Sequence, residues 1–142
     1  MRKLYWIALA AVSTILSSCY VVVEEPYVAP IDPRDNFTGI FEVEEFSQVY
    51  AATTYYNVEV TKSPYEQDVV WISNFYGIEL DIYGVVSGAD IQIPRQRIGN
   101  YEVDGWGYLT NEGRLRLFFT FVEHRPFGSL MDECDALFYA LY

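Results

Sequence analysis

The sequence predicts an all-β domain, an eight-stranded antiparallel up-and-down barrel over residues 37–142. Three observations predict it. From Phe37 onward, apolar and polar residues alternate with period two, broken by turn residues about every 8–14 positions, a spacing that suggests a β-sandwich or barrel. The connections are too short for crossovers, so neighbouring strands pair antiparallel. The sequence closes on Leu137-Phe138-Tyr139-Ala140-Leu141-Tyr142. A terminal apolar strand left unpaired would expose backbone donors and invite aggregation. Pairing it with the first strand removes that edge and closes the sheet.

The first strand is expected at 37–46, with Phe37, Gly39, Phe41 and Val43 on one face and Glu42 and Glu44 on the other. The second, 55–62, sets Tyr56, Val58 and Val60 against Asn57, Glu59 and Thr61 before a Ser63-Pro64 turn. The third, 69–75, carries Val70 and Ile72 on its core side, and 74–77 close it. The fourth, 78–87, alternates Ile78, Leu80, Ile82 and Val86 with polar and aromatic residues, and Ser87-Gly88 marks a hairpin. The fifth, 90–98, points Ile91 and Ile93 inward, and Pro94 argues for an edge or a bulge.

In the sixth, 102–110, Gly105 and Gly107 flank Trp106, a pattern of sharp bending or close backbone approach. The seventh, 114–123, places Leu115, Leu117, Phe119 and Phe121 inward, with Arg114, Arg116 and Glu123 as charged guards of an aggregation-prone run. A short helical turn is expected at 126–132, and the eighth strand at 134–142. The inward set is bulky: Phe37, Phe41, Phe119, Phe121, Phe138, Ile72, Leu80 and Ile82. An eight-stranded barrel has room for its own side chains or one small ligand, so a packed core is expected. Gly39, Gly84, Ala136 and Ala140 are the positions where space for a small apolar ligand would open.

Before the barrel lies a different kind of sequence. Arg2 and Lys3 precede an apolar run from Leu4 to Leu16. A bilayer span needs about 20 apolar residues, so this shorter run with a basic flank reads as a secretory signal. Leu16-Ser17-Ser18-Cys19 then resembles the lipobox of bacterial lipoproteins. The resemblance implies cleavage between Ser18 and Cys19, lipid on the Cys19 sulfur and acylation of the new amine. Two or three acyl chains, palmitate among them, would give a stable membrane anchor, since each buried methylene contributes about 0.8 kcal/mol.

By analogy with enterobacterial sorting, Tyr20 in place of Asp directs the protein to the outer membrane. Glu24-Glu25 resemble the acidic surface-export signals of Bacteroidota lipoproteins, which leaves the periplasmic and cell-surface faces both open. Residues 19–36 then form the lipidated N-terminus and an extended tether, with Pro26, Pro30 and Pro33 fixing φ and removing donors. The divisions are thus 1–18 signal, 19–36 tether and 37–142 barrel.

A second resemblance begins at Asn36-Phe37-Thr38-Gly39-Ile40-Phe41, which is similar to the lipocalin opening, with Phe41 in place of its Trp. More broadly the chain resembles small Bacteroidota lipoproteins with a lipocalin-like (calycin-like) barrel. The shared features are Asp35-x-Phe37-x-Gly39, Ile72-Ser73-Asn74-Phe75, Ile91-x-Ile93-Pro94-x-Gln96 and Cys134-x-Ala136. That resemblance implies the fold, and the lipocalin likeness suggests, as an alternative role, a carrier of a small apolar molecule.

The formal charge of −11 becomes −13 once Arg2 and Lys3 are removed. So acidic a chain is repelled by nucleic acid and by anionic headgroups. With Cys19 lipidated, Cys134 has no disulfide partner and is expected to be a small buried residue. A membrane-spanning barrel is disfavoured because the faces opposite the core carry Glu42, Glu44, Glu59, Glu79, Asp81, Arg114 and Arg116.

His124, the single histidine, is expected in a loop, so no Ser-His-Asp set is apparent, and no Cys/His cluster has zinc spacing. The acids Asp132, Glu133 and Asp135 around Cys134, and Asp32 and Asp35 before the barrel, are read as solvated rather than calcium-binding. Neither a catalytic residue nor a cofactor is expected. The expected function is a non-enzymatic, envelope-anchored module for a protein or glycan partner. The alternatives are a carrier of a small apolar ligand and a carboxylate-based hydrolase.

Overall fold

A computed structural model describes residues 29–141. The expected signal segment, Ser18, Cys19 and most of the tether lie outside the described residues. A short 3-10 helix, Pro33–Asn36, is followed by β1 (Gly39–Ser47), β2 (Ala52–Lys62), β3 (Val69–Phe75), β4 (Leu80–Ser87), β5 (Asp90–Ile98), β6 (Tyr101–Leu109), β7 (Leu115–Arg125) and β8 (Gly128–Ala140). The strands run antiparallel in chain order, and β8 pairs with β1 to close the barrel, from Phe41 opposite Ala140 to Ser47 opposite Cys134.

The core is the inward face of every strand. Val43, Val70, Ile72, Phe75, Ile82, Ile93 and Leu117 have no exposed surface. Burying each such side chain contributes about 1.5–3 kcal/mol. Of the expected inward set, Phe41, Ile72, Leu80, Ile82, Phe119, Phe121 and Phe138 are all in this core.

The expected space-opening positions are filled or lie outside the core. A Cβ on Gly84 would sit 2.7 Å from Ile91 Cδ1, so that site is already packed. Ala136 is buried, and Gly39 and Ala140 are exposed. Gly39 adopts φ 139°, a conformation that favours glycine, and joins the 3-10 helix to β1.

Phe37 is buried, but not as part of β1. It ends the 3-10 helix and plugs one end of the barrel. The chain before it is held tightly. Asp32 caps the helix by accepting from the Arg34 N–H at 3.0 Å, and Pro33 presets the first helical φ. Arg34 Nη1 donates to the carbonyls of Ser63, Glu66 and Val69 at 3.2, 2.7 and 3.3 Å. Lys62 pairs with Asp32 and Asp35. The last turn of the expected extended tether is therefore a capped helix, because these groups satisfy one another there.

Three other boundaries differ from expectation. The turn at 126–132 is not helical: Phe127 is at a hairpin tip and β8 begins at Gly128. This extends the β7–β8 ladder to Arg125 opposite Gly128 and places His124 on β7, opposite Ser129, not in a loop. Ile78 is exposed in the β3–β4 turn, where Asn74, Tyr76, Gly77 and Glu79 all have positive φ. The Asn74 side chain stabilises that turn, its Oδ1 accepting from the Glu79 N–H at 2.8 Å.

Pro94 does make a bulge, and the β5–β6 register shifts between Ile93 and Gln96. Gln96 bridges β5 to β4 through its amide, donating to the Tyr83 carbonyl at 2.8 Å and accepting from the Tyr83 N–H at 3.0 Å. The Gly105 and Gly107 expectation resolves as close approach. A Cβ at those positions would lie 2.5 Å from the Phe118 carbonyl oxygen and 2.4 Å from that of Arg116.

The β2–β3 ladder is short. It runs only from Glu59 opposite Ser73 to Lys62 opposite Val70, whereas β1 pairs with β2 along all of Gly39–Ser47. Above Glu59, β2 and β3 diverge. The barrel wall is split at the end opposite Phe37.

Candidate functional site

At that split end, the inward parity of β1 carries polar side chains. After Phe41 and Val43 come Glu45 and Ser47, which are 2% and 3% exposed. On β8 the parity of Phe138 and Ala136 continues to Cys134 and Asp132, and Asp132 is 1% exposed. Because Ser47 opposes Cys134 in the closing ladder, the four form one buried cluster.

Hydrogen bonds account for its survival in the core. Asp132 Oδ2 accepts from Ser47 Oγ at 2.6 Å and from the Tyr76 hydroxyl at 2.7 Å. Its Oδ1 accepts from the Val49 N–H at 3.1 Å. Ser47 Oγ also accepts from the Tyr50 N–H at 3.1 Å, tying the β1–β2 turn to the cluster. The Tyr56 hydroxyl donates to Glu45 Oε2.

The two acids respond differently to burial. Burial raises Glu45 to about 7, and the Asp132 charge adds to the rise, while the hydrogen bonds from Tyr56 and Cys134 oppose it. Burial also acts to raise Asp132, but donors from Ser47, Val49 and Tyr76 outweigh it, and the net shift is downward. Cys134 is buried as expected, though among acids rather than in apolar surroundings. Burial and the nearby Glu45 and Asp132 charges push its thiol upward, which favours the protonated form.

Tyr76 forms a cover over this cluster. It has φ 60°, unusual for a residue with a side chain. Its ring stacks on Phe121 with centroids 4.0 Å apart and planes at 12°. Stacking and the Asp132 bond hold it in that conformation. Beside it opens a cleft of about 330 Å³, lined by Glu45, Ser47, Tyr50, Tyr55, Tyr56, Tyr76 and the start of β2. The cleft meets one carboxyl, Glu45. Asp132 lies behind, its oxygens occupied by three donors.

A separate aromatic surface lies outside the barrel. Trp106, 53% exposed, has its ring 5.0 Å from Phe118 and 6.1 Å from Tyr108. A shallow outer recess of about 240 Å³ joins Trp106 and Phe118 to Asp104, Thr120 and Glu133.

Of the expected core- or ligand-facing residues, Phe119, Phe121, Phe138 and Ala136 surround the polar cluster or the core beneath it. Phe37, Phe41 and Gly84 belong to the packed barrel, and Gly39 is outside it. The acids around Cys134 separate by strand parity: Asp132 points in, while Asp135 points out to Arg116, which donates at 2.7 and 3.1 Å. His124 lies against Ser129, with its Nδ1 3.1 Å from Oγ, and its Nε2 is 3.6 Å from Glu102. Among the described residues, no group of three or more His, Cys, Asp or Glu side chains is arranged to hold a metal ion. Glu45, Ser47, Tyr56 and Tyr76 were not expected as site residues. Two of them carry a legible signal, a polar residue at core parity. No family model matches the chain, and no curated protein matches it.

Proposed function

We propose that the protein is a non-enzymatic interaction module, lipid-anchored through Cys19 to a bacterial outer membrane. It engages its partner at the split end of the barrel rather than holding a ligand inside. The packed interior carries this reading. Phe75, Phe138, Ile72, Ile82 and Ile93 fill the space a carrier would keep open. The non-enzymatic part is supported by the cleft meeting a single carboxyl, Glu45, and by the Ser47 hydroxyl being engaged with Asp132 and the Tyr50 N–H.

Mass spectrometry of the native, detergent-extracted chain tests both parts. The expected result is an N-terminal peptide beginning at Cys19 with acyl mass added, and no small apolar molecule retained. An unmodified Cys19 would overturn the anchor, and a stoichiometric apolar ligand would restore the carrier.

The exposed Trp106, packed against half-buried Phe118 beside Asp104, favours one second reading, a glycan-binding outer face. Adjacent rings flanked by a carboxylate suit sugar CH faces and hydroxyls. Trp106→Ala abolishing retention on a polysaccharide column would support it, and unchanged or absent retention by the parent chain would discard it.

A further inference from the structure

The upper half of β2 is a sheet edge inside a closed barrel. In an antiparallel ladder, every second residue directs its N–H and C=O to the same neighbour. The Asn57 carbonyl faces the β3 side, where it accepts from Asn74 Nδ2 at 2.7 Å. By that parity, Thr53 and Tyr55 also direct their backbone groups to the β3 side. Among the described residues no strand pairs with them there, since the β2–β3 ladder begins at Glu59. Ala52, Thr53, Thr54 and Tyr55 are all exposed.

Natural edges are blunted by lysine, proline or an inward charge. This one is not. Ala51-Ala52-Thr53-Thr54-Tyr55-Tyr56-Asn57-Val58 contains no charge and no proline, and its Thr and Tyr residues favour strands. The wall beside it is acidic on the outer face. Glu44 opposes Tyr55, Glu42 opposes Asn57, and Glu59 follows on β2 itself. On the inner side the cleft presents Tyr56 and Tyr76.

Resting on the interaction-module reading, we propose that residues 53–57 of β2 are a strand-addition site for an extended, basic segment of a partner protein. The added strand takes the place beside Thr53 and Tyr55 that β3, ending at Phe75, does not reach. Its backbone pairs with Thr53 and Tyr55, next to Asn57, whose carbonyl is held by Asn74. Its outward side chains are Lys or Arg, drawn by Glu59 on β2 and by Glu42 and Glu44 one strand further away on β1, and its inward side chains are uncharged and enter the tyrosine-lined cleft. A second copy of this chain is a poor occupant, because two such edges would bring the same glutamates together.

The test uses the full chain in detergent with a fluorescein-labelled heptapeptide, Lys-Val-Lys-Thr-Lys-Val-Lys. Two control peptides carry N-methyl groups on alternate amides or Glu in place of every Lys. The Lys peptide is expected to bind and to slow amide exchange at Thr53 and Tyr55. N-methylation on the pairing edge should weaken binding about tenfold or more, the loss of one or two backbone hydrogen bonds. The Glu peptide should not bind. Tyr55→Pro removes an N–H from the open edge without breaking the β1 ladder and should match the N-methyl loss, whereas Tyr55→Thr should retain binding.

Failure of the Lys peptide to bind, equal binding of the N-methylated or Glu peptide, or Thr53 and Tyr55 amides already protected by self-association would each overturn the proposal. The peptide controls use the unaltered chain, so they decide even if Tyr55→Pro misfolds. Acylation at Cys19 is read separately, so loss of one result leaves the other standing.

Discussion

The Tyr76 hydroxyl donates to Asp132 Oδ2 at 2.7 Å, linking a turn residue of positive φ to a carboxylate buried on the last strand. One bond thereby closes the cover over the polar cluster and compensates an acid that would otherwise be costly in the core. Tyr76→Phe keeps the stacking on Phe121 and removes only the bond. A hydrogen bond to a charged group contributes about 1.5–3 kcal/mol. The melting temperature and urea midpoint are expected to fall accordingly, with faster amide exchange in the 74–79 turn.

Glu45 makes stability depend on pH. Its folded pKa, about 7, lies above the unfolded value, so its contribution is complete below the ordinary carboxylate range. That contribution is lost as pH rises through about 7. Asp132 acts in the opposite sense, since its lowered pKa adds stability that disappears as pH falls through the acid range. Urea unfolding from pH 5 to pH 8 should therefore show declining stability in the parent chain. Glu45→Gln should flatten that decline. An unchanged slope would show that Glu45 does not titrate in this window.

Gly105 lies where β6 meets the Phe118 backbone. A methyl group there would be 2.5 Å from the Phe118 carbonyl oxygen and 2.6 Å from Phe119 Cβ. Backbone cannot yield as a side-chain tip does, so Gly105→Ala is expected to cost at least the roughly 1–3 kcal/mol of an overpacked core. Thermal denaturation checks this, with Gly113→Ala as a comparison whose added Cβ meets no atom within 4 Å and pays only for its positive φ.

Phe37 is the plug of the opposite end, and Arg34 holds it through three carbonyls of the β2–β3 connection. Phe37→Ala should cost about 3–5 kcal/mol, as for a fully buried aromatic. Arg34→Ala should leave the barrel folded and instead expose residues 32–38 to limited proteolysis, a local release that global melting would barely register.

Much of this fold was legible because a strand repeats every two residues. The alternation in Leu115–Phe121 and Leu80–Val86 assigns their faces without coordinates, and Pro94 announced its bulge by lacking a donor. The same parity that placed Phe41 and Val43 inward places Glu45 and Ser47 there too. Asp132 shares the face of Cys134, Ala136 and Phe138, but a helical turn expected at 126–132 hid it. A propensity-based boundary lost to the long-range β7–β8 ladder.

The order of apolar and polar residues alone determined an antiparallel barrel with a crowded interior, since side-chain volume and period are properties of the residues themselves. The tertiary structure alone decided that β2 parts from β3 above Glu59, that Tyr76 reaches Asp132, and that Glu45 titrates near neutrality. Each of these depends on which distant segments come together. Register, turn conformation and local dielectric arise only when the sheet has closed.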